Sequence, residues 1–245
     1  MVLLHFLGRY LFQSIHNSPV EEILTYENCK VLDVGCGAGV WLLESATNYQ
    51  SSHFLGIDIC TVFPSEVNVL NGLPFEDNSF DYVHQGNMVE VYTIDQWNFI
   101  ISELIRVCKP GGYIEFTEPE LAPKTGPILK RFYDALIELS ESRNVRIRMY
   151  KNLIKILNST QMVQNIESKV AIVPLGTKKG GNVGQTYLEV HDGFFLNDPM
   201  PEIMSKVMNM SREEYIELFG EAKKEIEEGV APDCEIYRIW CQKKF

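Results

Sequence analysis

The sequence contains no C-x-x-C pair, although it carries six cysteines: Cys29, Cys36, Cys60, Cys108, Cys234 and Cys241. Set singly, several in apolar runs, they read as reduced, buried thiols of a cytoplasmic or nuclear protein. They fit neither a disulfide framework nor a zinc site. Basic residues are scarce: 22 Lys and Arg stand against 33 Asp and Glu, a net charge of −11. That field repels phosphate, which argues against nucleic-acid and anionic-membrane partners. No apolar run approaches the ~20 residues that cross a bilayer. The apolar start "MVLLHFLGRYLF" is interrupted by His5 and Arg9 and lacks a small-residue cleavage site, so no signal peptide is expected. The Lys-Ser/Thr of a triphosphate-binding loop is missing. Internal repeats, low-complexity linkers, a nucleophilic triad and a metal-ligand cluster are missing too.

What is present suits a globular chain: 45% hydrophobic and 22% charged residues over 245 positions. "KVLDVG" reads as a buried strand, followed by a helix over 38–48. "HFLGIDI" (53–59) and "FDYVHQ" (80–85) are further strands. Trp97, Ile100, Ile101, Leu104, Ile105 and Cys108 recur at helical spacing. Thr93 with Gln96 forms the capping box of that helix, and Pro110-Gly111-Gly112 stops it. "YIEFTEP" (113–119) is the next strand. Strands alternating with helices imply an α/β fold, a Rossmann-like, doubly wound and mostly parallel sheet. Beyond Pro119 come helices near 127–142 and 149–158, a strand at 168–175, a helix at 211–228 capped by Ser211 and Glu214, and a strand at 235–244 near the sheet edge. The helical insertion is a natural lid. Two features have plain explanations: Arg143, Arg146, Arg148, Lys151 and Lys155 form a solvated face. The stripe Tyr215, Leu218, Phe219, Ala222 and Ile226 packs on its own domain.

Gly35, Gly37 and Gly39 follow the first strand directly. There, a backbone without side chains lets a ligand approach, and the next helix offers unpaired N–H groups. A dinucleotide fingerprint would need its third glycine at position 40, where the residue is Val40, which disfavours an NAD-dependent oxidoreductase. Asp58, ending the second strand, is placed to accept from both hydroxyls of an adenosine ribose.

The D-x-G-x-G-x-G pattern, Asp58 and "KPGGYIEF" together resemble the class I S-adenosylmethionine-dependent methyltransferases. "VLDVGCGAGVWLLE", "GLPFEDNSFDYVHQ" and "ELIRVCKPGGYIEFTEP" are similar, more narrowly, to the fungal methyltransferases related to secondary-metabolism regulators, over roughly residues 5 to 118. The resemblance implies S-adenosyl-L-methionine as cofactor and a small-molecule or protein methyl acceptor; a protein partner is a further expectation. It places Asp33, Gly35, Cys36, Gly37 and Gly39 around the methionine part, with Asp58 on the ribose and Ile59 beside the adenine. Asn68 would face the adenine amino group, and Gln85 would lie toward the methyl group. His84 and Glu118, at the ends of the third and fourth strands of this chain, are the candidate catalytic residues, since a base helps where the acceptor carries a proton. One domain over 1–245 is expected: a helical lead-in (1–28) that folds over the cofactor and a cofactor-binding half (29–118). A helical, substrate-side elaboration (119–230) with a core strand near 168–175 follows, then a C-terminal strand (231–245).

The family usually inserts a helix and a short edge strand between Asp58 and "LPF". Here only "ICTVFPSEVNVLNG" intervenes, so the edge strand is expected to be missing and the adenine side to be thin. That shortening, with Gly86 where relatives commonly carry arginine, supports a rival reading: a degenerate relative that keeps the fold as a regulatory or interaction module.

Overall fold

The computed structural model describes residues 2–26, 28–59, 67–122, 124–230 and 232–245. A six-stranded sheet is assembled in the order β2-β1-β3-β4-β6-β5. Its strands are β1 (Lys30–Val34), β2 (His53–Ile57), β3 (Phe80–Gly86), β4 (Cys108–Glu120), β5 (Val163–Pro174) and β6 (Asp233–Lys243). β2, β1, β3 and β4 pair in parallel. β6 runs antiparallel between β4 and β5. Strand order reverses between β1 and β3, which opens a crevice at their carboxyl ends. Among the described residues β2 is the terminal strand on its side; the expectation of a missing outermost strand falls largely on residues 60–66, outside the described residues.

Helices α1 (Val2–Phe12), α2 (Glu21–Tyr26), α3 (Val40–Asn48) and α4 (Ile94–Val107) belong to the first half. The second half carries α5 (Pro127–Ser142), α6 (Tyr150–Thr160), α7 (Thr177–Leu196), α8 (Met200–Val207) and α9 (Arg212–Glu227). α4 forms where its apolar stripe predicts. Trp97, Ile100, Ile101, Leu104 and Ile105 are all fully buried, and the Thr93–Gln96 capping box is closed in both directions. Ser211 and Glu214 do the same for α9. Tyr215, Phe219, Ala222 and Ile226 of α9 are buried against α5 and α7 in the second-half core.

Several boundaries differ from the sequence pattern. β4 begins at Cys108, not at Tyr113, because the chain turns extended as soon as α4 ends and Pro110-Gly111-Gly112 lies within the strand's span. The strand expected at 168–175 is β5, Val163–Pro174, and it lies at the sheet edge, not in the core. Its middle residues Glu167–Val170 are all exposed, because β6 is its only strand neighbour among the described residues. "GQTYLEVHDGFF" lies inside α7, which bends at Gly181.

The lead-in is sewn to the sheet by buried polar groups. Glu115 on β4, fully buried, accepts hydrogen bonds from the backbone of Asn17 and Ser18 and from the Ser18 hydroxyl. Arg238 on β6 donates to Ser14 O and Asn17 Oδ1, and its guanidinium lies 4.4 Å from the Phe12 ring centre. These anchors hold α1 above the carboxyl ends of the strands.

Candidate active site

The turn after β1 is built by its glycines. Gly35, Gly37 and Gly39 all have positive φ, at 74°, 52° and 70°. A Cβ on Gly35 would come within 2.8 Å of Met88 Sδ and push that flexible side chain aside, and the φ of 74° strains any residue but glycine there. A Cβ on Gly37 would meet nothing within 4 Å, because that face of the turn borders open space. The N–H groups of Gly35 and Cys36 donate to Ile57 O, pinning the turn to β2. The Gly37 N–H donates to Asp58 Oδ2 at 2.8 Å. The acidic anchor and the glycine turn, read separately in the sequence, are therefore one hydrogen-bonded unit. Cys36 lies beside both carboxylates; burial, then Asp33 and Asp58, push its thiol up to about 12, so it stays protonated.

Beneath the turn, Asp33 is buried and its Oδ1 is 2.8 Å from His84 Nδ1. The His84 ring stacks on Trp41 of α3, with centroids 4.0 Å apart and an interplanar angle of 6°. Asp33, Gly35, Gly37, Trp41, His84 and Asn87 all border one crevice, roofed by Leu4 and His5 of α1. α1 is latched there: His5 Nε2 lies 2.6 Å from Glu44 Oε2, and Arg9 Nε donates to Glu44 Oε1 at 3.2 Å. With α1 docked the crevice is about 80 Å³.

A second cavity, about 560 Å³, adjoins the crevice and shares Leu4 and Asn87 with it. Its apolar walls come from α1, the β3–α4 turn, α5 and α7, with Val89, Leu136, Tyr187 and Phe194 among them. A polar pair sits in the wall. His191 Nδ1 faces Tyr187 O at 3.3 Å, so it is the protonated nitrogen, and Nε2 accepts from the Tyr133 hydroxyl at 3.0 Å. Burial pulls His191 down to about 4. Glu90, on the turn between β3 and α4, also lines this chamber; burial lifts its carboxyl to about 7 against the pull of Arg143.

The expected site residues divide between these places. Asp33, Gly35, Cys36 and Gly37 line the crevice, Gly39 caps α3 beside it, and Asp58 is tied to Gly37. Ile59 is 64% exposed, which leaves its side chain free to cover a ligand. Asn68 is exposed and caps the short turn 69–71, its Oδ1 accepting from Leu70 N. Residues 60–66 of the shortened segment lie outside the described residues. Gln85 is fully buried, gives its Nε2 to Tyr92 Oη, and has no hydrogen-bond partner for Oε1 among the described residues. His84 faces the crevice and not the chamber. Glu118 borders neither cavity: its two oxygens accept from Met88 N and Val89 N, which fixes the turn that carries Asn87 and Glu90. Burial nonetheless lifts its carboxyl to about 8. Sequence reasoning missed Glu90 and the Tyr133–His191 pair, which no local motif marks. No group of three or more His, Cys, Asp or Glu able to hold a metal occurs among the described residues. None of the described helices is long and apolar enough to cross a membrane.

A family model described as a methyltransferase domain matches residues 32–116, from β1 through the crevice into β4. N-methyltransferase gliN of Aspergillus fumigatus is 30% identical over 190 residues, covering 68% of this chain and 67% of that one. The chain belongs to the S-adenosylmethionine-dependent methyltransferase family. Secondary metabolism regulator LAE1 of Cochliobolus heterostrophus is 25% identical over 181 residues, 66% of this chain and 58% of that protein. The chain thus spans about three fifths to two thirds of the length of these relatives. The methyltransferase fold is seen again in two solved structures. YcgJ protein from Bacillus subtilis superposes with a TM-score of 0.57 at 17% identity, covering 99% of each chain. Phosphoethanolamine N-methyltransferase 2 of Haemonchus contortus, in complex with S-adenosyl-L-methionine, gives 0.56 at 15% identity over 100% of this chain and 58% of that one. The methyltransferase cradle fits its cofactor in kind. A side-chain-free turn, a carboxylate at 2.8 Å from its N–H and a helix N-terminus converge at one point. In size, the crevice with α1 docked is below the roughly 300–1,000 Å³ of small-molecule sites.

Proposed function

We propose that this chain transfers a methyl group from S-adenosylmethionine to a small-molecule acceptor bound in the 560 Å³ chamber. The observation that carries the reading is the junction of that chamber with the glycine crevice at Leu4 and Asn87. A donor in the one and an acceptor in the other can meet there, away from water. When bound, the sulfonium supplies an already activated methyl group, so the protein's work is alignment and exclusion of water.

Each residue then has a definite task. The turn Gly35–Gly39 lies along the methionine part, with Asp33 and Cys36 beneath it. Asp58 exchanges its bond to Gly37 N–H for the ribose hydroxyls, while Ile59 and Asn68 lie on the adenine side. Gln85 is close by with an unpartnered oxygen. His84, fixed by Asp33 and Trp41, holds the floor of the crevice. Glu118 positions the Asn87–Glu90 turn. α1 must swing away to admit the cofactor and close again over it. The acceptor is a small molecule because the chamber has the volume of a ligand site and walls of mainly apolar side chains. A regulator without turnover is the second reading, favoured by the 80 Å³ that α1 leaves at the crevice.

Thermal-shift measurements with S-adenosylmethionine, S-adenosylhomocysteine and NAD separate the readings. The first two are expected to raise the melting temperature by several degrees and NAD to leave it unchanged. Stabilisation by NAD alone, or by none of the three, overturns the proposal.

A further inference from the structure

We propose that the methyl acceptor is an apolar amine, with its nitrogen held by Glu90, which takes the proton that the nitrogen must lose. This rests on the reading of the chamber as the acceptor site. Glu90, Glu120 and Glu189 line the chamber, and among the described residues no lysine or arginine does. Aromatic rings from Tyr133, Tyr187 and Phe194 stand among them. Carboxylates and ring faces in an apolar cavity attract a cation and reject an anion.

The three glutamates are not equivalent. Glu120 accepts from Tyr150 N, and Glu189 accepts from Gln185 Nε2. Among the described residues Glu90 makes no hydrogen bond and no ion pair, and it is held in the turn that Glu118 fixes. A half-buried carboxylate without a partner is costly unless a ligand supplies one. It is also the glutamate nearest in sequence to Asn87, where chamber and crevice meet. In the same wall, Tyr133 spends its proton on His191; its oxygen, with the Cys234 thiol as a weak donor at 4.0 Å, keeps a lone pair for a second N–H of the amine.

The chemistry balances without a further reagent. An ammonium R–NH3+ gives one proton to the Glu90 carboxylate, and the nitrogen lone pair is released. That pair forms the N–C bond to the transferred methyl as the C–S bond breaks and its electrons pass to sulfur. The products are R–NH2+–CH3 and S-adenosylhomocysteine, and the proton on Glu90 leaves to solvent. Burial, which lifts Glu90 to about 7, makes it a base suited to neutral pH.

The test is calorimetric titration, without cofactor, of three isosteric probes: 4-phenylbutylamine, 4-phenylbutan-1-ol and 4-phenylbutyrate. At pH 8 the amine is expected to bind at least tenfold tighter than the alcohol, and the acid weakest. Glu90→Gln should abolish the preference for the amine while changing the alcohol's affinity less than twofold. Gly193→Leu, which grows a side chain from the α7 wall where a Cβ meets only Asn197 Nδ2 at 3.7 Å, should weaken amine and alcohol alike. In the wild type the preference should fall from pH 8 to pH 6 as Glu90 takes up a proton. Glu118, Glu120, Glu189, Arg143, Tyr133, Tyr187, His191 and Cys234 are the other ionisable groups around it, and a flat profile in Glu90→Gln separates Glu90 from them. The proposal is overturned if no probe binds, if the alcohol or acid matches the amine, or if the preference survives Glu90→Gln. S-adenosylhomocysteine titrated into the same protein distinguishes the failures. Cofactor binding without amine preference sinks the amine alone, whereas amine preference without cofactor binding sinks methyl transfer.

Discussion

His191 illustrates how a single buried side chain contributes to the acid sensitivity of the protein. It is neutral, with both ring nitrogens bonded, and burial holds it near 4, well below its ordinary 6.5. Its folded value is depressed, so the unfolded chain binds the extra proton between pH 6.5 and 4. Stability is therefore lost as pH falls through that window. The loss is about 3.5 kcal/mol at most, from 2.5 pH units at about 1.4 kcal/mol each. Denaturant unfolding at pH 7 and pH 4.5 should show this decline, and His191→Gln should flatten the part of it that belongs to this residue. Equal slopes in the two proteins would count against the assignment. The Asp58 carboxylate is the complementary case: it is spent on a backbone N–H that a ligand hydroxyl can replace at little cost.

Two elements carry most of the site's geometry, and each makes a separate prediction. α4 starts at a capping box that ends the turn bearing Asn87 and Glu90. Thr93→Ala should cost about 1 kcal/mol, read as a lower urea midpoint with unchanged m-value. α1 is held over the crevice by the contacts of His5 and Arg9 with Glu44, each worth no more than about 1 kcal/mol because they are partly exposed. Breaking both with Glu44→Ala should raise the association rate of S-adenosylhomocysteine several-fold. Stopped-flow quenching of Trp41, which stacks on His84 in the crevice, can follow it. An unchanged rate would mean that α1 is not the gate.

At the scale of the molecule, the two halves were legible to different degrees. "DVGCGAG" and Asp58 were each legible because they lie close together in the chain, whereas their union through Gly37 N–H and the closing of the crevice by α1, His84 and Arg238 were not. α4 was legible because its buried stripe is long and regular. The chamber was not legible, since α1, the β3–α4 turn, α5 and α7 each contribute apolar residues that look like ordinary core until the helices are placed. Glu118 shows the same limit. Its position at a strand end suggested chemistry, yet both its oxygens are occupied by backbone donors. β5 was expected inside the sheet, but its sparse burial follows from having β6 on one side only.

The central claim, that the glycine turn and Asp58 together hold an adenosyl cofactor, is tested most directly by calorimetric titration of S-adenosylhomocysteine into the wild type and Asp58→Ala. One site per chain with micromolar affinity is predicted, weakened by about 1.5–3 kcal/mol, roughly 10- to 150-fold, when the carboxylate is removed. No binding to the folded wild type at millimolar ligand, or equal affinity in the two proteins, would contradict it.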